Sequence, residues 1–433
     1  MKASETRASE GSPEFSVAPQ SGGSLLRERN FRLFFFGMLI SNSGTFLQSV
    51  SQGVLVYGLS HHSNFMVGVT QAAVFVPVLL LALQGGSLAD RFDRRWLLIA
   101  TQVLALAATG TLAVIVATGH ASVPAVMVVA VLVGIQYAVA IPTMQALLPA
   151  FVDPRRLGEA IGLNSVTFNL ARVIGPAIST VLISVSFGLA FGLNSLSFLA
   201  LIAALLLIKF NRPTRGEGGP RSVREGLAYA WRNPRTRIIL AAVLTLSLAI
   251  DPMITLAPDI ARNVFHRPRQ DAGLFLAAFG FGSMCAAFLF VRILRSPSQE
   301  RYRNAPWLMA LFAGGVIAFS WMPSIWLALA VLAVGELGFL TSTTTWTTGL
   351  QEEVSEAMRG RIMGIWTLCA LGSRPLAALI DGAVADWAGP RVASLVIALP
   401  LVIVAAFVSP RLRGSASSGT AEGRARTGAP GLP

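Results

Sequence analysis

Charged side chains are what this sequence has least of. Asp, Glu, Lys and Arg make up 13% of its 433 residues, 54% are apolar, and the mean hydropathy is +0.64. A water-soluble domain of this size would lack the polar groups to cover its surface, so that class is excluded. Cysteine is almost absent. Cys285 and Cys369 fall in apolar windows without C-x-x-C spacing, so packing roles are expected rather than a disulfide framework or a thiolate site. The four histidines, His61, His62, His120 and His266, have no ligand partner at metal-binding spacing, and no metal is expected. There is no GxxxxGKS phosphate loop, HExxH helix or GxSxG elbow, and no connection long enough to fold a nucleotide-binding domain. Soluble catalysis and ATP use are thereby excluded, no cofactor is expected, and the chain is not expected to be an enzyme. The first thirty residues are rich in Ser, Gly, Pro and Glu with no apolar stretch before Phe31, so no secretory signal is read and a disordered tail over 1–30 is expected.

What the chain does have is long apolar runs. A hydrocarbon core about 30 Å thick needs roughly 20 apolar residues per helical span. Windows of that length lie near 31–57, 64–86, 96–118, 122–147, 158–182 and 186–208, then near 236–257, 271–293, 305–321, 324–348, 361–384 and 391–409. This predicts an all-α integral membrane protein with twelve transmembrane helices in two six-helix bundles, 31–208 and 236–410. The formal net charge of +13 is spread over short basic clusters between the apolar windows, which reads as topology and not as a nucleic-acid surface. Arg27, Arg29 and Arg32, Arg91 to Arg95, Arg155 and Arg156, the 209–237 stretch, Arg295 to Arg303, and Arg359 and Arg361 fall on alternate connections. Those connections are expected to be cytoplasmic, with both termini inside and the protein multi-pass in the plasma membrane. The opposite connections are poor in arginine apart from Arg262, Arg267, Arg269 and Arg391.

Val152, Gly158 and Gly162 recur with the same spacing as Val354, Gly360 and Gly364, an internal repeat of half the membrane region. Pro176 and Pro375 follow in nearly corresponding places. Between the halves, 209–235 reads as a basic linker ending in a short amphipathic helix, with Val223, Leu227, Ala230 and Trp231 on one face and Arg221, Arg224 and Arg232 toward water and headgroups. Residues 411–433 are a Ser, Gly, Ala and Arg tail in which disorder is expected.

One turn carries the most specific signal. GGSLADRFDRR, Gly85 to Arg95, joins two apolar runs and holds one acid, Asp90, beside Arg91, Arg94 and Arg95. It resembles the signature loop between the second and third helices of the major facilitator superfamily, through Gly86, Leu88, Ala89, Asp90, Arg91, Arg94 and Arg95. Asp93 stands where that pattern usually has a second glycine, and is read as adding a charge without tightening the turn. The resemblance implies that Asp90 latches the cytoplasmic side when the halves close there, while the arginines fix turn and topology. The run LLPAFVDPRRLGEAIGLN and the following NSVTFNLARVIGPAIS resemble more specifically the transmembrane secretion effector branch, to which enterobactin exporters belong. Gly175 and Pro176 resemble the exporter-type kink of the fifth helix, although Ser179 and Thr180 replace the glycines that usually follow. The fourth span has no arginine where many proton-coupled exporters place one, only Gln136, Tyr137, Thr143 and Gln145, and Arg172 is the expected substitute from the next helix.

A charge inside a span costs roughly 2.5 to 3.5 kcal/mol on insertion scales, so each one present needs a partner or a wet path. Arg172 lies mid-span in the fifth helix, on a face with Asn164, Phe168, Gly175 and Ser179, and Asn169 is a further polar group nearby. Glu336, mid-span in the tenth helix, is the first candidate for a proton-carrying carboxyl, and Asp251, just before Pro252, is the second. Arg172 and Arg374 are their expected partners, with Thr367 and Asp381 seven residues to either side of Arg374. The alternative is that acids and arginines neutralise one another between packed helices. Ser41, Thr45, Gln48 and Gln52 share one face of the first span, as cavity lining or as an interhelix hydrogen-bond seam. Together these features predict a secondary transporter, expected to act as a monomer, with a small amphipathic molecule, protons and the bilayer as partners. Proton-coupled export of a siderophore or antibiotic-like metabolite is the reading, with uptake or a non-transporting receptor or enzyme on the same scaffold as alternatives.

Overall fold

The computed structural model describes residues 24–150, 152–209, 223–293 and 298–426. Six long helices fill the N-terminal half: α1 (Arg29–Leu59), α2 (Asn64–Arg91), α3 (Arg94–Ala117), α4 (Val123–Leu147), α5 (Leu157–Val185) and α6 (Phe187–Leu207). Apolar side chains around most of each helix leave the turns as the only places where polar groups set helix ends. Ser63 opens α2 by accepting from Met66 N at 3.2 Å, and Ser186 opens α6 by accepting from Leu189 N at 3.4 Å. Asp93 accepts from Arg95 N at 2.9 Å and Trp96 N at 3.3 Å, so it is the N-cap of α3. The residue read from sequence as adding charge alone therefore does fix this turn, because two free N–H groups need an acceptor there.

The linker carries α7 (Val223–Arg232), on which Ala230 is buried while Leu227 and Trp231 are exposed; Arg221 and residues 210–222 lie outside the described residues. In the C-terminal half the seventh crossing is broken into α8 (Pro234–Leu248), α9 (Pro252–Thr255), α10 (Ala257–Asp259) and a π-turn over Ile260–Val264. Pro252 and Pro258 lack the N–H that a continuous helix would need. The eighth to tenth crossings are α11 (Ala272–Ile293), α12 (Ser298–Ala318) and α13 (Ile325–Glu353). The eleventh is interrupted at Gly372 and Ser373 between α14 (Glu356–Leu371) and α15 (Arg374–Ala388). The last, α16 (Pro390–Arg426), keeps helical backbone past residue 410, so the boundary placed there by sequence is one of apolar character and not of helix. Twelve crossings result, as expected, and eleven of them are individually long and apolar enough to span a bilayer among the described residues.

The halves meet along two helix pairs, α2 against α15 and α5 against α11. At the arginine-poor end the backbones approach closely: a Cβ at Gly68 would stand 2.2 Å from the Ala378 carbonyl, and one at Gly273 would stand 2.5 Å from that of Pro176. Toward the arginine-rich end, Gly86, Gly158, Gly162 and Gly364 have open space beside them. The bundle is thus shut at one end.

Candidate functional site

Arg172 projects from α5 at mid-span, and its guanidinium is enclosed by aromatic rings of both halves. Its Cζ lies 5.8 Å from the ring centre of Phe46, 5.0 Å from Phe168 and 5.3 Å from Phe279. Cation–π contact partly replaces the hydration lost in the membrane interior. Glu336 of α13 answers it: Arg172 Nη1 stands 3.6 Å from Glu336 Oε1, and the Glu336 side chain is fully buried. Ser283 of α11 bridges the two, accepting from Arg172 Nη1 at 3.2 Å while its own hydroxyl donates to Glu336 Oε1. Glu336 Oε2 has no hydrogen-bond partner. One helix of the N-terminal half and two of the C-terminal half therefore share one buried ion pair.

The second cluster forms where the C-terminal helices break. Asp251 sits at the break between α8 and α9 and accepts from Thr255 Oγ1 at 2.6 Å. Across from it on α15, Asp381 is buried, with its carboxyl within bonding reach of the Asp251 carboxyl. Neither oxygen of Asp381 meets a donor N–H or O–H. Two carboxyls in this relation bond only when one of them carries a proton, because ionised carboxylates are acceptors alone. Arg374, the first residue of α15, lies 5.1 Å from the ring centre of Phe75 on α2 and within electrostatic range of Asp251, Tyr137 and Arg172, and its Nε is unpartnered. Of the charged residues singled out by sequence, Arg172 and Glu336 thus meet directly, while Asp251, Asp381 and Arg374 gather beside them.

The uncharged candidates lie elsewhere. Gln48 and Gln52 are 5% and 4% exposed, and form a chain in which Asn194 of α6 donates to Gln48 Oε1 and Gln48 Nε2 donates to Gln52 Oε1 at 3.4 Å. This chain joins α1 to α6. Asn169 donates to the Ser165 carbonyl of its own helix at 2.9 Å, and Asn164 Oδ1 is buried without a partner. α5 runs unbroken through Gly175 and Pro176, and a Cβ at Gly175 would lie 2.4 Å from the Ser43 carbonyl, so this glycine lets α5 and α1 touch.

In the last two turns of α2, which stays helical to Arg91, Gly85 makes the close approach, since a Cβ there would stand 2.0 Å from the Ala138 carbonyl, while Gly86 faces open space. Arg94 donates to the Ala89 carbonyl from Nε and to the Ala146 carbonyl from Nη1, both at 3.2 Å, and Arg95 donates to the Leu206 carbonyl at 2.9 Å. These guanidinium groups sit on the C-terminal ends of α2, α4 and α6, where free carbonyls and the helix dipole favour cations. Arg91 is exposed beside them, and the Asp90 side chain lies outside the described residues.

Sequence reasoning missed a third group. At the arginine-poor end, Asp386 of α15 accepts from Ser63 Oγ at 2.7 Å, Asn64 N at 2.7 Å and Phe65 N at 3.1 Å. Asp259 of α10 accepts from Tyr57 Oη at 2.8 Å and Asn64 Nδ2 at 2.9 Å. The available signal was an acid near the end of each of two spans, close to an otherwise arginine-poor boundary.

Comparison with known proteins places this geometry. The sequence profile of the transmembrane secretion effector family matches residues 20–424. The chain is 26% identical over 388 residues to the multidrug efflux pump Tap of Mycobacterium tuberculosis, covering 86% of this chain and 90% of that protein. It is 27% identical over 387 residues to the enterobactin exporter EntS of Citrobacter koseri, covering 86% and 89%. It is 23% identical over 334 residues to the staphyloferrin A transporter of Staphylococcus aureus, covering 76% and 82%. Among solved structures, the nucleoside transporter NupG superposes with a TM-score of 0.71 at 12% identity, over 88% of this chain and 99% of that one. A bacterial homologue of the human lysosomal transporter Spinster, inward-facing and unoccupied, gives 0.69 at 15% identity, over 90% and 98%.

Proposed function

This chain belongs to the transmembrane secretion effector family of major facilitator transporters, and we propose that it exports a small amphipathic molecule, a siderophore or antibiotic-like metabolite, in exchange for protons. The observation that carries the reading is the fully buried Glu336, paired across the boundary between the halves with Arg172. Export-named relatives, Tap and EntS, support the direction. With the arginine-rich connections cytoplasmic and both termini inside, in the plasma membrane, the closed end is the outer one and the looser end faces inward.

The coupling follows from electrostatics in a low-dielectric interior. With Glu336 ionised, attraction to Arg172 draws α13 toward α5 across the boundary; a proton on Glu336 removes that attraction and leaves Arg172 to its aromatic neighbours. Asp251, at the break between α8 and α9, and Asp381 of α15 form a second acidic pair near Arg374, where small backbone shifts at the break change their separation. Proton entry from one side and departure to the other are thereby tied to which mouth is open. The Asp90 turn acts in the opposite phase, latching the cytoplasmic side when the halves close there. The protein works as a monomer, its wet route running between the two bundles.

Everted membrane vesicles test this. An imposed proton gradient, acid inside, should drive accumulation of one compound from a panel holding a catecholate siderophore, a hydroxycarboxylate siderophore and a cationic dye, and E336Q should abolish it. Accumulation that needs no gradient, or that E336Q leaves unchanged, contradicts proton exchange; accumulation only in right-side-out vesicles identifies uptake.

A further inference from the structure

The arginine-poor end is not merely packed shut. Three hydrogen bonds to Asp386 and two to Asp259 all start from one short piece of the N-terminal half, Tyr57 to Phe65, and all end on carboxylates of the C-terminal half. Asn64 is held twice, its backbone N–H by Asp386 and its side-chain amide by Asp259. Asn263, within the π-turn, adds a hydrogen bond to Asp259 from the same half and so orients that carboxylate. Beside these, His62 contacts Arg262 through ring Nε2 and guanidinium Nη1, a contact in which the imidazole is neutral, since its protonated form has no acceptor.

Two features separate this arrangement from ordinary helix capping. α2 already has a cap of its own in Ser63, whose Oγ accepts from Met66 N, so α2 does not depend on Asp386 for its integrity. Asp386 instead takes the next free N–H groups at the positive end of the α2 dipole, where a carboxylate binds most strongly. And Asp259 ends the three-residue α10, directly before the π-turn over Ile260–Val264, so it is able to shift without melting a long helix. The geometry points to Asp259 and Asp386 as a two-point clamp: positioning residues that hold this mouth of the transporter closed and must both let go of the α1–α2 turn before it opens. The inference rests on the proposed transport reading only for calling this mouth the outer one.

The test reads distance and needs neither substrate nor gradient, so failure of proton-coupled export and failure of the clamp are told apart. In the full-length protein in lipid nanodiscs, with Cys285 and Cys369 replaced by Ala, spin labels at H120C and P323C report separation across this end; both positions are exposed and lie in opposite halves. The parent should show one short distance by pulsed dipolar spectroscopy. D386N and D259N should each raise the ratio of long to short distance by about tenfold, and the double variant by more, since bonds to charged groups are the strong ones. D386E, which keeps the carboxylate, should return the parent distribution. N64D, which leaves α2 intact but sets a like charge against Asp259, should open the end as D259N does. Unchanged distributions in D386N, N64D and the double variant would overturn the clamp, as would opening by D386E equal to that by D386N.

Discussion

The two halves of the bundle solve the same problem, polar groups in lipid, in different ways. The N-terminal half keeps six unbroken helices and ties them with uncharged groups. Gln48, Gln52 and Asn194 form one chain, Ser41 reaches Gln102 at 3.4 Å, and Ser51 meets Ser179 at 2.9 Å. Its apolar residues form one cluster around Phe31, Leu98 and Leu205 toward the arginine-rich end and another around Val56, Leu112 and Phe191 toward the arginine-poor end. The C-terminal half has one continuous core, which reaches across to Leu47, Val50 and Ile183 of the other half, but two of its crossings are broken, and the breaks carry Asp251 and Arg374. Glu336, Asp251, Asp381 and Arg374 all belong to it, whereas the other half contributes Arg172 alone among the charged candidates at mid-span. Neutral seams let a bundle move as a rigid body, while ionisable groups at helix breaks respond to protonation. On the proposed reading, the first half is the frame and the second carries the chemistry.

That assignment is open to breaking, and the largest expected effect is at the contact between the halves. Arg172→Leu leaves Glu336 buried without its cation and should cost about 3 to 5 kcal/mol in thermal stability in detergent, while R172L/E336L should recover much of the stability and none of the gradient-driven transport. Next, D381N replaces one of two facing carboxyls with an amide that supplies a donor to Asp251; the protein should stay folded, while the number of protons exchanged per substrate, read with a pH dye in proteoliposomes, should fall. In the frame, Q48A should cost only about 0.6 kcal/mol, the average for polar contacts between membrane helices, and leave transport intact; loss of transport there would move chemistry into the first half. The smallest effect is expected from R95A, which removes a cation from the C-terminal end of α6 at the exposed rim and should lower stability by about 0.3 to 1 kcal/mol, seen as a small drop in melting temperature.

Much of the contrast is legible in the residues themselves. Apolar runs fix the crossings because nothing else satisfies backbone groups in lipid. Arg172 and Glu336 can be anticipated as partners because a lone charge at mid-span is too costly to leave alone, and the repeat sets Pro176 and Pro375 in nearly corresponding places. Yet related sequence does not make related backbone: α5 runs through Pro176, while the eleventh crossing opens before Pro375, at Gly372. The cap made by Asp93 was also readable, as an acid just before a helix start, and was obscured by comparison with a glycine pattern. What sequence does not carry is which face meets which helix. The Gln48 and Gln52 stripe looks the same whether it borders water or Asn194, and Asp259 and Asp386 look like ordinary polar residues at span ends until the fold brings them to Asn64.

The central claim is that a proton on Glu336 uncouples the halves, and its most direct measurement separates movement from driving force. In proteoliposomes loaded with the exported compound, wild-type protein should both exchange labelled for unlabelled compound and concentrate it when a pH gradient is imposed. E336Q should keep the exchange and lose the gradient-driven concentration. If E336Q concentrates the compound as the wild type does, the pair of Arg172 and Glu336 is structural and the account fails.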